Sequence, residues 1–167
     1  MSTIQVEEIP QDVKSNSIFE INSTNVNYYT HGFFKYPCKF IPHIPRWAIQ
    51  QHTNPGDLVL DPFAGSGTTL VEAVLNERIG LGVDFDKFSQ LLCKVKTTKY
   101  EKKLLTKINN ISTNFKILEK ENQDFLPDIH NLDHWFPKQN ISKLSSLLGE
   151  IEQYSSDKKC YNFFLVC

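Results

Sequence analysis

Between residues 58 and 85 the spacing of apolar residues changes twice. "LVLDPF" is an unbroken aliphatic run, the pattern of a strand covered on both faces. "TTLVEAVLNE" then places Leu70, Val71, Val74 and Leu75 at three- and four-residue steps, one stripe of a helix. "RIGLGVDFD" returns to a continuous run that ends in acid. Strand, helix and strand make one β-α-β unit of about 25 residues, right-handed by default.

The flanks follow different rules. Residues 1–27 are polar, with short apolar spots such as "SIFEI", and are expected to form an arm. "YYTHGFFKYPCKFIPHIP", residues 28–45, is too dense in aromatics and prolines for a helix and predicts an ordered strap along a surface. Pro45 suits a first helical turn, so "RWAIQQHT" predicts a short helix, and "NPGD" is turn chemistry. "DKFSQLLCKVKTTKY" predicts a helix capped by Asp86. Leu104, Leu105, Ile108, Ile111, Phe115 and Leu118 predict another over 101–123, which "FLPDIHNLDHWFPKQN" interrupts. A last helix from about Ile141 carries Leu144, Leu147, Leu148, Ile151 and Tyr154 on one face. The terminal "YNFFLVC" is the one candidate for a third strand. The organisation expected is an arm at 1–27, a ligand-binding βαβ region with its strap at 28–100, and a helical segment with an incomplete fold at 101–167.

Composition narrows the class. Twelve Phe among 167 residues argue for a buried core and against disorder. A net charge of −1 gives no global attraction to nucleic acid, so any such contact needs a local patch or further chain. Cys38, Cys93, Cys160 and Cys167 have no zinc spacing, and no run approaches a membrane span. "MSTIQVEEIP" lacks the apolar core of a signal peptide, so a cytoplasmic chain with reduced thiols is expected.

The chemistry concentrates in "LDPFAGSGTT". Parallel sheets bind ligands at the carboxyl ends of their strands, and glycines there admit a ligand to the backbone. Gly65 and Gly67 supply that approach, and Ser66, Thr68 and Thr69 add hydroxyls at the helix start. A triphosphate loop needs a lysine, and none lies between Leu60 and Lys87. A dinucleotide loop needs a third glycine, but position 70 is Leu, and Asp61 would repel a pyrophosphate. S-adenosylmethionine has an ammonium for Asp61 to accept from, a sulfonium and no phosphate. Asp84, 19 residues after Gly65, is placed for the ribose hydroxyls, with Asp86 as the alternative.

"DPFAGSGTTLVEA" closely resembles the first motif of DNA amino-methyltransferases, which methylate adenine N6 or cytosine N4. "HGFFKYPCKFIPHIPRWAI" resembles the segment that precedes that motif in part of the family, and "IGLGVDFD" its second motif. The resemblance covers roughly residues 29–98. It implies an α/β, Rossmann-like methyltransferase fold with a parallel sheet of seven strands flanked by helices. It also implies S-adenosylmethionine as donor and double-stranded DNA from which the target base is flipped. By position, Asp61, Pro62, Phe63, Gly65, Ser66, Gly67 and Thr68 would frame the cofactor, Asp84 would hold the ribose, and Phe40 and Pro42 would cover the methionine side.

The family's catalytic motif is a polar residue followed by Pro-Pro and an aromatic. The eight prolines here, at 10, 37, 42, 45, 55, 62, 127 and 137, include no adjacent pair. No catalytic residue is therefore assigned. The expectation is the cofactor-binding front part of a restriction-modification methyltransferase, inactive alone. A second polypeptide would supply catalysis and target recognition, unless the gene is truncated. An RNA guanine-N2 methyltransferase and a non-catalytic regulatory subunit are the alternatives. Four further features have plain structural readings. The run Lys94, Lys96, Lys99, Lys102, Lys103 and Lys107 is a solvated helix face before it is a phosphate contact. His130 and His134 lack the glutamate of a metal-binding helix. Trp47 and Trp135 are packing residues, as are Tyr28, Tyr29, Phe33 and Phe34 before they are base-stacking ones.

Overall fold

The computed structural model describes residues 3–22, 25–114, 125, 126 and 128–167. Phe115 and Leu118, expected on a helix, lie outside the described residues. Near the start, where an arm is expected, β1 (Thr3–Val6) pairs in parallel with β2 (Ile18–Ile21). Glu8 and Pro10 tie this segment to α1 (His43–His52): Arg46 Nη1 donates to Glu8 at 2.6 Å, and Trp47 Nε1 to the Pro10 carbonyl at 2.8 Å. Helix α1 begins two residues before Pro45, which still sits in the first turn, where a missing N–H costs nothing.

β3 (Leu58–Asp61), α2 (Thr68–Leu75) and β4 (Ile79–Gly82) form the expected β-α-β unit, with β3 and β4 parallel. Opposite Val59 and Asp61 stand Gly80 and Gly82, both pressed against α2. A Cβ on Gly82 would lie 2.6 Å from Leu70 Cδ1 and 3.0 Å from Ala64 Cβ, so the bare backbone lets the helix settle directly on the sheet. Among the described residues the other face has no cover. Leu58, Leu60, Ile79 and Leu81 are each about half exposed or more, so the strands expected to be buried on both faces are partly covered on one, by α2.

The inward face of α2 also differs from the expected stripe: Leu70, Val71, Glu72 and Ala73 are buried, while Val74 and Leu75 are exposed. Helix α3 (Lys87–Thr97) starts as expected at Asp86, whose carboxylate accepts from the Ser89 N–H and hydroxyl, both at 2.8 Å. Those bonds hold Asp86 below the usual carboxylate range.

The chain divides into two compact units, residues 1–98 with 166–167, and residues 99–165. In the second, α4 (Lys102–Asn114), the single turn α5 (Leu132–Trp135), α6 (Lys138–Glu152) and all but the last residue of α7 (Lys158–Val166) follow one another. The core there is Ile108, Ile111, Ile151, Cys160 and Phe164, with Leu104, Leu147 and Tyr154 packed on it. Leu144 and Leu148, expected on the inner face of α6, are exposed, and Ser142, Ser145 and Ser146 are buried instead. The candidate third strand is helical. Asp157 accepts from the Cys160 N–H at 3.3 Å, and Cys160 and Phe164, four apart, enter the core together. No helix among the described residues is long and apolar enough to cross a membrane.

Candidate functional site

A cleft of about 350 Å³ opens where β3 runs into α2. Asp61, Phe63, Gly65, Ser66 and Thr68 form one wall, and the strap residues Tyr36, Cys38, Lys39 and Phe40 form the other. Gly65 and Gly67 have φ of +48° and +74°, the left-handed region where a side chain is strained. Gly67 caps α2, and its N–H closes a turn on the Ala64 carbonyl at 2.7 Å. The loop therefore wraps tightly at the N-terminus of α2, where the helix dipole presents its positive end.

Each expected acid has a defined place. Asp61 ends β3 on the cleft wall, and its Oδ1 accepts from the Phe63 N–H at 3.0 Å. Its Oδ2 has no donor among the described residues. Asp84 lies behind the loop: Oδ2 accepts from the Gly65 N–H at 2.7 Å and Oδ1 from the Asp86 N–H at 2.9 Å. Asp84 thus braces the glycine turn, and each oxygen keeps a second lone pair. Phe40 and Phe63 are largely exposed beside the cleft, Pro62 is exposed at its edge, and Pro42 is buried at the start of α1.

Two buried charges were not anticipated. Lys96, 4% exposed, donates from Nζ to the Ser66 carbonyl at 2.6 Å and so supports the loop from beneath. Burial, and then repulsion from Lys39, pull its pKa down to about 8. It shares one buried helical stripe with Ser89, Leu92 and Cys93. Cys93 Sγ donates to the Gly65 carbonyl at 3.4 Å. Burial raises its thiol pKa; Lys96 opposes that rise, and the Asp84 and Asp61 carboxylates add to it.

The second is Glu72, 1% exposed on α2. Its Oε1 accepts from the Tyr28 hydroxyl and from His31 Nε2, the latter at 2.8 Å, and its Oε2 accepts from Arg46 Nε at 3.1 Å. Burial works to raise its pKa, but the bonds from His31, Tyr28 and Arg46 prevail and lower it.

The expected aromatic candidates lie elsewhere than the cleft wall: Tyr29 is exposed, and Phe34 meets Phe88 edge-on at 5.0 Å. Of the lysine run, Lys96 turns inward and Lys107 pairs with Asp157 at 2.5 Å. His134 stacks edge-on to Trp135 within α5, while His130 precedes that helix.

Known proteins share this stretch. The sequence model of the DNA methylase family, of the N6/N4 type, matches residues 2–94. The type II methyltransferase M.MjaII of Methanocaldococcus jannaschii is 40% identical over 80 residues, 48% of this chain and 15% of that protein. The type II methyltransferase M.MvaI of Kocuria varians is 31% identical over 153 residues, 86% of this chain and 34% of that protein. A solved structure of the M1.HpyAVI-SAM complex aligns with a TM-score of 0.42 and 27% identity, covering 55% of this chain and 43% of that one. The chain thus spans about a third or less of the length of these two curated relatives. The matched region holds the strap, the glycine turn and both acids, and on that match the chain belongs to the DNA methylase family.

Proposed function

We propose that the Asp61 cleft binds S-adenosylmethionine, and that the chain supplies the cofactor-binding part of a DNA methyltransferase acting on cytosine N4 or adenine N6. The observation that carries this reading is the half-open Asp61 carboxylate on a glycine-lined wall facing the strap. A carboxylate with a free oxygen suits an ammonium and repels a phosphate. Asp61 and the strap would hold the methionine end. The glycine turn would let the nucleoside lie against the backbone, and the spare lone pairs of Asp84 would accept from the ribose hydroxyls. Pro62, Phe63, Ser66, Gly67 and Thr68 would shape the wall, with Phe40 and Pro42 on the strap side. The bound cofactor supplies an electrophilic methyl on a sulfonium; the chain's part is to fix its position and keep it from water.

Both curated relatives are type II methyltransferases by name, which supports a restriction-modification setting and double-stranded DNA as substrate. No two prolines are adjacent in the sequence, so in this reading a second polypeptide would supply the Pro-Pro-aromatic motif, unless the gene is truncated. The uncovered face of Leu58, Leu60, Ile79 and Leu81 is a surface such a partner would bury. The chain alone is expected to bind cofactor and transfer no methyl group. Its setting is cytoplasmic.

Isothermal titration with S-adenosylmethionine tests the reading. The purified chain should bind, and Asp61→Asn should weaken binding about tenfold or more, since a hydrogen bond to a charged group contributes about 1.5–3 kcal/mol. No binding by the wild type, or equal binding by Asp61→Asn, refutes it.

A further inference from the structure

The strap makes half of the cleft wall, yet in sequence it is an irregular segment, and something must hold it in place. The tethers converge on one side chain. Tyr28 and His31 stand where the strap begins, and Arg46 stands just past its end, on α1. All three donate to Glu72. Glu72 lies on the helix whose first turn is the opposite wall of the cleft. A carboxylate has only acceptor sites, and here both oxygens are engaged by the two ends of one segment. Arg46 also donates to the Tyr28 hydroxyl and lies over its ring at 4.8 Å, so the three donors brace one another. Between the tethers the strap has lighter fixings: Tyr36 OH to Ser89 Oγ at 2.9 Å, and Lys39 Nζ to the His31 carbonyl at 2.9 Å.

We infer that Glu72 is a positioning residue: by clasping Tyr28, His31 and Arg46 it holds the strap against the cleft and so sets affinity for the amino-acid end of the ligand. Glu72 does not line the cleft and acts only through the strap. The inference rests on the cofactor reading given above. It predicts a selective effect, because the strap walls the Asp61 cleft, while the proposed ribose acceptor Asp84 lies behind the glycine turn. Breaking the clasp should therefore weaken a ligand that carries the methionine moiety and spare one that lacks it.

The test compares wild type, Glu72→Gln and Tyr28→Phe. The second variant removes one oxygen and keeps the ring beneath Arg46, so it folds even if the first does not. Titration with S-adenosylmethionine should show at least a tenfold rise in Kd for the variants. Titration with 5′-methylthioadenosine, which lacks the amino-acid end, should show less than a twofold change. Without any ligand, hydrogen exchange at amides 33–41 should accelerate at least tenfold in the variants, with amides of β3, α2 and β4 unchanged. Equal losses for both ligands, or exchange that accelerates throughout β3, α2 and β4, would show a general scaffold role and overturn the inference. Unchanged affinity and exchange would also overturn it. Failure of the wild type to bind either ligand would instead bring down the cofactor reading, with the exchange data still judging the clasp.

Discussion

Gly67→Ala puts a single methyl group into the tightest point of the glycine turn. The added Cβ would stand 2.9 Å from Cys93 Sγ and 3.3 Å from Cys93 Cα, and the residue would have to keep φ at +74°. Two costs follow. Left-handed backbone disfavours alanine by about 1–2 kcal/mol. Overpacking a closed site adds about 1–3 kcal/mol, because Cys93 is 8% exposed and its sulfur is engaged by the Gly65 carbonyl. Alanine's smaller unfolded-state entropy returns about 0.4–1 kcal/mol. The net expectation is a loss of about 2–4 kcal/mol.

Gly65→Ala is the comparison. It has φ of +48°, but the nearest atom is Tyr36 Cε1 at 3.6 Å, an ordinary separation, so about 1 kcal/mol is expected. Urea unfolding in a Trp135→Phe background leaves Trp47 as the reporter of the unit that holds the turn. In a Cys93→Ala background the cost of Gly67→Ala should fall by about 1 kcal/mol, since the clash with sulfur is removed and the crowding against the α3 backbone stays. Equal costs at the two glycines, or strict additivity with Cys93→Ala, would refute the packing argument.

Two further outcomes are expected. Lys96 has a folded pKa of about 8 against 10.5 unfolded, so between those values the unfolded chain binds the extra proton and stability rises with pH. The rise contributed by Lys96 is at most about 3 kcal/mol, complete near pH 10.5 and absent below pH 8. It should appear as the difference between Lys96 and Lys96→Met chains in denaturation midpoints from pH 7.5 to 10.5, both in a Cys93→Ala background, because Lys96 itself opposes the rise of the Cys93 thiol and the two groups would otherwise titrate together; a flat difference refutes the buried-cation assignment. Phe164→Ala should destabilise the helical unit by about 3–5 kcal/mol, followed by Trp135 fluorescence in a Trp47→Phe background, and a loss under 1 kcal/mol would show that Phe164 is not central to that core.

The β-α-β unit was legible because two independent patterns agreed there: continuous apolar runs for the strands, and glycines with an acid at the turn. The Asp86 cap was legible from a local rule. The terminal apolar stretch was not, because "YNFFLVC" has no alternation, and a short apolar run fits a strand or a buried helix equally; the cap at Asp157 decided it. The strands near the start escaped because four-residue segments leave little periodicity to read. Glu72 and Lys96 escaped for a different reason. A charged residue within an apolar stripe is ordinarily assigned to solvent, and only its partners reveal that it is buried. Those partners, Tyr28, His31 and Arg46 for one and the Ser66 carbonyl for the other, are 26 to 44 residues away along the chain.

The bare side of the β3–β4 pair sets how this polypeptide can be handled. Among the described residues the ribbon is two strands wide, and four aliphatic side chains in register make a greasy panel on it, the sort of surface that recruits copies of itself as concentration rises. Purification on its own should be accompanied by concentration-dependent association and by binding of a hydrophobic dye. Replacing Leu60 and Leu81 with threonine, which keeps strand propensity, should suppress both while leaving the ligand cleft intact.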